Sequence, residues 1–182
     1  MHNDILRVLI SEEELNKRVK EMAAQIEKDY AGEELLAVCI LKGSVVFYGE
    51  LCKYINIPMV FDFMSVSSYG NSIQSSGNVK IKKDLSEHVI GRNVLLVEDI
   101  IDSGLTLSNL KKLLEDRGAK SVKIATLLDK REGRKPGVTL TGDYTGFDIP
   151  NEFVVGYGLD YAEKYRNLPY VGVLKPEIYS DK

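Results

Sequence analysis

The stretch Val94-Leu-Leu-Val-Glu-Asp-Ile-Ile-Asp-Ser-Gly-Leu-Thr106 decides the fold class of this chain. Its opening run, Val94–Val97, is short, branched and apolar, which predicts a strand buried on both faces. Glu98 and Asp99 follow directly, and Asp102 comes three residues later. Because α/β sheets bind ligands at the carboxyl ends of their strands, we expect Glu98 and Asp99 to lie at a crevice. Carboxylates there suit ribose hydroxyls or a hydrated Mg²⁺.

The turn Ser103–Thr106 then leads into a helical pattern. It supplies backbone N–H groups, two hydroxyls and a helix N-terminus, which together can bind a phosphate. Two other classes share parts of the pattern. A phospho-acceptor receiver domain would carry its acids near the start of the domain, and a Walker B strand would be accompanied by a Gly-x-x-x-x-Gly-Lys-Ser/Thr loop, which the chain lacks.

Composition favours one soluble domain spanning residues 1–182, with 44% hydrophobic and 28% charged residues. The net charge of −3 offers no overall attraction to nucleic acid or to an anionic membrane. No apolar run reaches the roughly 20 residues of a membrane span, and the first residues lack the layout of a signal peptide. Cys39 and Cys52 lie among apolar neighbours, which predicts buried, reduced thiols and the cytoplasm as compartment.

Apolar periodicity alternates between strand and helix. A capping box at Ser11-Glu-Glu-Glu14 predicts a helix that ends at Gly32, Ser44 opens a second helix to about Ile55, and a third ends at Gly118. The predicted strands are Leu35–Leu41, Pro58–Val66, Asn78–Lys83, Val94–Val97, Val122–Leu128, Phe153–Val155 and Val171–Leu174. The pattern indicates an α/β fold, a mainly parallel twisted sheet with helices on both faces.

Residues 67–78 differ from the rest of the chain because they are polar, glycine-containing and non-periodic. One interpretation is a mobile hairpin tip. The other is a flexible lid that closes over the crevice.

Several separated motifs, taken in order, resemble the type I phosphoribosyltransferases, and among these the hypoxanthine-guanine enzymes of bacterial type. The motifs are Leu41-Lys-Gly43, Ser68-Tyr69, the Val94–Thr106 stretch, Leu127-Leu-Asp-Lys130, and Phe153-Val-Val-Gly-Tyr-Gly-Leu-Asp-Tyr161 with Arg166 downstream. The resemblance covers essentially the whole chain. It implies the type I phosphoribosyltransferase fold, with a small hood subdomain formed by the chain termini.

The resemblance also implies an activity in purine salvage. The 5-phosphoribosyl group of phosphoribosyl pyrophosphate (PRPP) would pass to N9 of hypoxanthine or guanine, giving IMP or GMP and pyrophosphate. The transition state would resemble an oxocarbenium ion, and Mg²⁺ would assist because the leaving pyrophosphate carries much negative charge. Family members commonly form homodimers or homotetramers.

On the PRPP side, the resemblance assigns Glu98 and Asp99 to the ribose hydroxyls and the nearby metal. It assigns the 5′-phosphate to a loop formed by Asp102, Ser103, Gly104, Leu105 and Thr106. Asp102 would also face N7 of the purine as general acid/base. The alternative for Asp102 is a helix N-cap carboxylate.

Pyrophosphate would be held by Lys42, Gly43 and Arg166, and Asp160 is associated with a second metal. The alternatives are a surface lysine at Lys42, a turn residue at Asp160 and a surface ion pair at Arg166. In the family, the peptide bond before this lysine can be cis.

On the base side, Lys130 would donate to the purine O6, Phe153 would stack on the ring, and the backbone of Val154 would read the base edge. Ser68 and Tyr69 match lid residues of the family. Lys130 lies in a basic run that also fits a solvated loop, and a lone Phe at a strand start is more often part of a core.

Two competing functions remain open at this stage. A PRPP-binding regulator of the same fold would be expected to show a basic face or an added DNA-binding domain, and the net charge of −3 argues against it. An enzyme acting on another base, such as xanthine or a pyrimidine, is the other. Lys130 and Phe153 favour a 6-oxopurine over a pyrimidine, and the relative preference among hypoxanthine, guanine and xanthine stays open.

Overall fold

The structure is a computed structural model that describes residues 1–67 and 80–180, so the predicted lid lies outside the described residues except for Ser67. The described residues form four α-helices, two short 3-10 helices and nine strands, and the strands form two sheets. The helices are α1 (Glu12–Asp29), α2 (Val45–Cys52), α3 (Leu105–Asp116) and α4 (Pro176–Tyr179). The strands are β1 (Ile5–Ile10), β2 (Leu35–Leu41), β3 (Met59–Ser67), β4 (Lys80–Lys83), β5 (Asn93–Ile101), β6 (Ser121–Asp129), β7 (Tyr144–Asp148), β8 (Val154–Val155) and β9 (Val171–Leu174). No described helix is long and apolar enough to cross a membrane.

The larger sheet has six strands in the order β4-β3-β2-β5-β6-β7. Strands β3, β2, β5, β6 and β7 are parallel, and only β4 at one edge is antiparallel. The mainly parallel sheet predicted from the sequence is therefore confirmed. The central strand β2 is an unbroken apolar run, and its neighbour β5 is apolar from Val94 to Val97, because both faces of these segments are covered.

Helices cover both faces, as predicted. Alternate residues of β2 point to opposite sides. Leu35, Ala37 and Cys39 pack with α1 and α2 in one core cluster. Leu36, Val38 and Ile40 pack with Leu107, Leu110 and Leu114 of α3 in another.

The order of the strands reverses between β2 and β5. From β2 the chain passes through α2 to β3 on one side, and from β5 it passes through α3 to β6 on the other. The connections therefore leave the sheet in opposite directions at this point. Such a reversal opens a crevice at the carboxyl ends of the strands, where α/β proteins bind ligands.

The smaller sheet, here called the hood, is antiparallel in the order β1-β9-β8. It joins the first strand of the chain to two late ones, with Ile5 opposite Leu174 and Val154 opposite Val173. The hood implied by the resemblance is thus formed as expected. Strand β1 was absent from the predicted elements.

Some predicted boundaries were wrong. Helix α2 ends at Cys52, not near Ile55, because the next residues form tighter i→i−3 bonds, from Tyr54 N–H to Leu51 O and from Ile55 N–H to Cys52 O. Strand β5 extends to Ile101, because its ladder with β6 continues past the two acids. Strand β7 was missed altogether.

Candidate active site

A cleft of about 430 Å³ opens at the carboxyl ends of β2 and β5, at the reversal of strand order. Its lining brings together ten of the residues predicted from the sequence. They are Lys42, Gly43, Glu98, Asp99, Asp102, Ser103, Gly104, Thr106, Asp160 and Arg166. Residues more than 120 positions apart in the chain therefore meet in one place.

Glu98 and Asp99, here called the acidic pair, lie near the carboxyl end of β5 and are half-buried. The buried Ser44 lies against both, since its hydroxyl donates to Glu98 Oε1 (2.9 Å) and accepts from the Asp99 N–H (3.0 Å). The N–H of Ile100 donates to Asp99 Oδ1 (2.7 Å). These bonds fix the carboxylates at the floor of the cleft.

Burial is the main cause that raises the pKa of Glu98 well above its usual range, and the adjacent negative charge of Asp99 adds to it. Burial also raises the pKa of Asp99, against the opposing effects of its hydrogen bonds and of the Arg166 charge. The acidic pair therefore favours a bound proton or cation.

Gly43 touches the acidic pair because it has no side chain. A Cβ at Gly43 would lie 1.7 Å from Asp99 Oδ2, and a Cβ at Gly158 would lie 1.9 Å from the carbonyl oxygen of Gly43. Three segments thus approach more closely than any larger residue permits. The peptide bond between Leu41 and Lys42 is cis.

The loop 102–106, here called the phosphate loop, leads from β5 into α3. Gly104 is the N-cap of α3 with φ of 75°, a conformation that glycine adopts without strain. The following N–H groups begin a helix, and the first N–H groups of a helix have no intrahelical acceptors. Leu105 is the first residue of α3, is 42% exposed and does not line the cleft.

Asp102 is exposed at the start of the phosphate loop. Because Gly104 occupies the N-cap position of α3, the helix-cap alternative does not describe Asp102. Its carboxylate lies over Gly133, where a Cβ would come within 2.0 Å of Asp102 Oδ1.

Cationic and acidic side chains face each other on the far side of the cleft. Lys42 Nζ lies 3.1 Å from Glu163 Oε2, and Arg166 Nη2 lies 2.9 Å from Asp160 Oδ1 and 3.4 Å from Glu163 Oε2. The Nε of Arg166 is buried and has no hydrogen-bond partner among the described residues. The turn that carries Glu163 is conformationally strained, since Ala162 and Glu163 both have positive φ.

The base-side residues do not line this cleft. Lys130 follows β6, and its N–H donates to Ile101 O at 2.9 Å. Phe153 is the residue immediately before β8 in the sequence, and it is 37% exposed. Its ring stacks on Tyr179 with centroids 4.9 Å apart, and Val154 is buried in the hood. Ser68 and Tyr69 lie outside the described residues.

Two residues of the site were missed in the sequence. Ser44 was interpreted only as a helix start, although a serine between a glycine and an apolar helix is a candidate for a buried polar contact. Gly158 was quoted within a motif but not singled out, and the Gly-Tyr-Gly spacing was its only signal.

Comparisons with known proteins agree with this geometry. The family model for the phosphoribosyl transferase domain matches residues 11–162. The chain is 57% identical to the hypoxanthine-guanine phosphoribosyltransferase of Bacillus subtilis, covering 98% of each chain. It is 58% identical to the bifunctional protein TilS/HprT of Listeria innocua, over 100% of this chain. The chain spans only 28% of the length of that Listeria relative.

Among solved structures, a hypoxanthine phosphoribosyltransferase from Staphylococcus aureus superposes with a TM-score of 0.95 at 49% identity, covering 100% of this chain and 97% of the other. The chain belongs to the phosphoribosyltransferase family. Within that family, its similarity over full length is to the hypoxanthine-guanine enzymes, so the resemblance seen in the sequence is confirmed.

Proposed function

We propose that this chain acts in purine salvage by transferring the 5-phosphoribosyl group of PRPP to N9 of hypoxanthine or guanine. The products are IMP or GMP and pyrophosphate. The observation that carries the proposal is the convergence of the acidic pair, the phosphate loop and the Lys42–Arg166 side in a single cleft. These groups match, in order, the ribose hydroxyls, the 5′-phosphate and the pyrophosphate of PRPP.

The acidic pair also fits Mg²⁺, with Asp160 as a further carboxylate in the same cleft. No cluster of three or more ligating side chains occurs in the described part of the chain. Mg²⁺ does not require one, because it commonly binds through one or two carboxylates together with substrate phosphates and water. When bound, it would neutralise charge that develops on the leaving pyrophosphate. The negative charge of Asp99 beside Glu98, which adds to the raised pKa of Glu98, supports a cation at this position.

The remaining groups of the PRPP side hold phosphates. The phosphate loop offers N–H donors from the start of α3 and the hydroxyls of Ser103 and Thr106 to the 5′-phosphate. Lys42 and Arg166 would turn from Glu163 to the pyrophosphate, because a multiply charged anion offers stronger charge-assisted bonds than one exposed carboxylate.

Asp102 is the candidate general acid/base. It is exposed at the start of the phosphate loop and lines the same cleft as the acidic pair. In the proposed role it exchanges a proton with N7 of the purine while the bond to N9 forms. Lys130, Phe153 and Val154 would complete the base side, and the segment 67–78 would exclude water as a lid.

The test is an assay with PRPP, Mg²⁺ and a panel of hypoxanthine, guanine, xanthine, adenine and uracil, following nucleotide formation. We expect turnover with hypoxanthine or guanine and little with adenine or uracil. Xanthine is also a 6-oxopurine, and the assay decides whether it is used. Tight PRPP binding without turnover of any base would instead favour the regulatory alternative. The cytoplasm and a dimeric or tetrameric state stay predictions; the two free, buried cysteines support the first.

A further inference from the structure

Arg134 lies in the basic run after β6, yet its side chain is only 12% exposed. The guanidinium forms an ion pair with the carboxylate of Asp129, which is 1% exposed. It also donates to four backbone carbonyl oxygens. These are Leu140 O (3.0 Å from Nε) and, from Nη1, Ile101 O (2.9 Å), Asp102 O (2.7 Å) and Lys130 O (3.2 Å).

This set of acceptors requires an arginine. A guanidinium holds five N–H donors in a fixed plane, whereas a lysine ammonium has three donors on one nitrogen. The positive charge is matched by the buried Asp129, because a buried charge persists when it is paired and hydrogen-bonded. Arg134 is therefore no part of a solvated loop.

Three of the four carbonyls belong to segments with proposed roles. The carbonyls of Ile101 and Asp102 lie where β5 passes into the phosphate loop. The carbonyl of Lys130 belongs to the residue that is proposed to donate a hydrogen bond to the purine O6. Two backbone bonds reinforce the connection, from Lys130 N–H to Ile101 O (2.9 Å) and from Lys135 N–H to Ser103 O (3.2 Å).

The Arg134 side chain also packs closely against the phosphate loop. A Cβ at Gly104 of the phosphate loop would lie 3.3 Å from Arg134 Cδ and 2.8 Å from a methyl group of Val138. The phosphate loop therefore rests directly on the turn that carries Arg134. A shift of this side chain would move the loop with it.

We infer that Arg134, anchored by Asp129, is a positioning residue that sets the phosphate loop and Lys130 at a fixed distance from each other. The inference rests on the proposed function, because it assigns the two segments to the two substrates. Arg134 does not line the cleft and acts through the backbone of the residues that bind. It couples the PRPP side of the site to the base side.

The test replaces Arg134 by lysine, which keeps the charge and removes the planar set of donors. We expect kcat to fall by about 10²-fold, the cost of a misplacement near 1 Å. The KM for PRPP and the KM for hypoxanthine should rise together. A residue that served only stability would lower the melting temperature and leave both KM values of the folded enzyme unchanged.

The matched control is Arg18→Lys. Arg18 also donates to two backbone carbonyls, Thr145 O (2.7 Å) and Gly146 O (3.0 Å), but it holds β7 and not the cleft. Its kinetic constants should match those of the unmodified enzyme. Asp129→Asn is the second variant, since it leaves Arg134 in place and removes only the negative charge of its partner. It should change the same constants in the same direction by a smaller factor.

Melting curves establish that each variant is folded at the assay temperature. If Arg134→Lys does not fold, the kinetic constants of Asp129→Asn decide whether the two sides of the site are coupled. Unchanged constants in the folded variant, or a rise in one KM alone, would overturn the coupling. Failure of the proposed function is a separate result: the unmodified enzyme would form no nucleotide from any base.

Discussion

The PRPP side and the base side of the site are built in different ways. On the proposed PRPP side, the acidic pair and the phosphate loop lie in one short stretch of sequence at the end of β5, a central strand of the larger sheet. On the proposed base side, Lys130, Phe153 and Val154 come from a loop and from the hood, and none of them lines the cleft with the acidic pair and the phosphate loop. In the proposed function, the local construction would suit PRPP, which is the same in every reaction. The separate segments would suit a pocket that selects among bases.

The comparison also explains where close packing occurs. At the PRPP side, glycines let backbones and carboxylates meet, as at Gly43 and Asp99. At the base side, aromatic rings form the surface, with Phe153 stacked on Tyr179 and edge-on to Tyr161. Substitutions should therefore separate by side: turnover and PRPP binding on one, base affinity and selection on the other.

Asp102→Asn should have the largest effect. General acid/base catalysis typically contributes about 10²–10⁴-fold, so kcat should fall by that order while PRPP binding changes little. Steady-state kinetics and PRPP titration give the two values. Asp116→Asn is the control, because Asp116 is exposed at the end of α3, the helix that follows the phosphate loop. Near-normal turnover in Asp102→Asn would remove Asp102 from the chemistry.

Lys130→Ala should change the base side alone. The ammonium donates to a 6-oxo group but has no acceptor for the 6-amino group of adenine. A hydrogen bond to a charged group contributes about 1.5–3 kcal/mol, so the KM for hypoxanthine should rise by roughly 10-fold or more. The preference over adenine should shrink, and the KM for PRPP should stay unchanged.

Lys120→Ala is the control, because Lys120 pairs with Glu33 away from the cleft. An unaltered base preference in Lys130→Ala, or efficient use of adenine by the unmodified enzyme, would contradict the assignment.

Tyr179→Ala should have a smaller effect on the same side. An aromatic pair contributes about 0.5–1.5 kcal/mol beyond its buried area, so loss of the ring beneath Phe153 should raise the KM for hypoxanthine severalfold. The neighbouring Ile178→Ala removes packing in the hood without touching that stack and should leave this KM unchanged. Equal effects of the two variants would show that hood stability, not the stack, is measured.

Glu98→Gln should stabilise the protein slightly in the absence of divalent cations. Burial raises the pKa of Glu98 above its unfolded value, so the folded state holds a proton that the unfolded state releases, and stability falls as pH rises through that window. Gln keeps the acceptor for Ser44 and has no charge. The melting temperature of Glu98→Gln relative to the unmodified protein should therefore increase with pH above the ordinary range of a glutamate.

Measurements in EDTA between acid and neutral pH would show this trend. Glu13→Gln, at an exposed position of α1, makes the same change of charge and should show no such trend. A difference that narrows with rising pH would contradict the raised pKa.

Most strands of the larger sheet were predictable because the pattern of apolar residues along a strand indicates which of its faces are buried. Unbroken apolar runs such as Leu35–Leu41 matched β2 to the residue. β7 was missed because Tyr144–Asp148 carries Thr, Gly and Asp and is recognisable only from its ladder with β6. β1 was missed because it is short and half-exposed, and its pairing with β9 joins opposite ends of the chain.

The sequence by itself determined the α/β class, the position of the acidic pair at a strand end and the phosphate loop, because each depends on neighbours a few residues apart. Only the tertiary structure decided that Ser44 lies between the two acids and that Arg134 ties the phosphate loop to Lys130. Those contacts join segments from different strands. Their geometry is set by the order in which the strands pack, and no local pattern in the chain records that order.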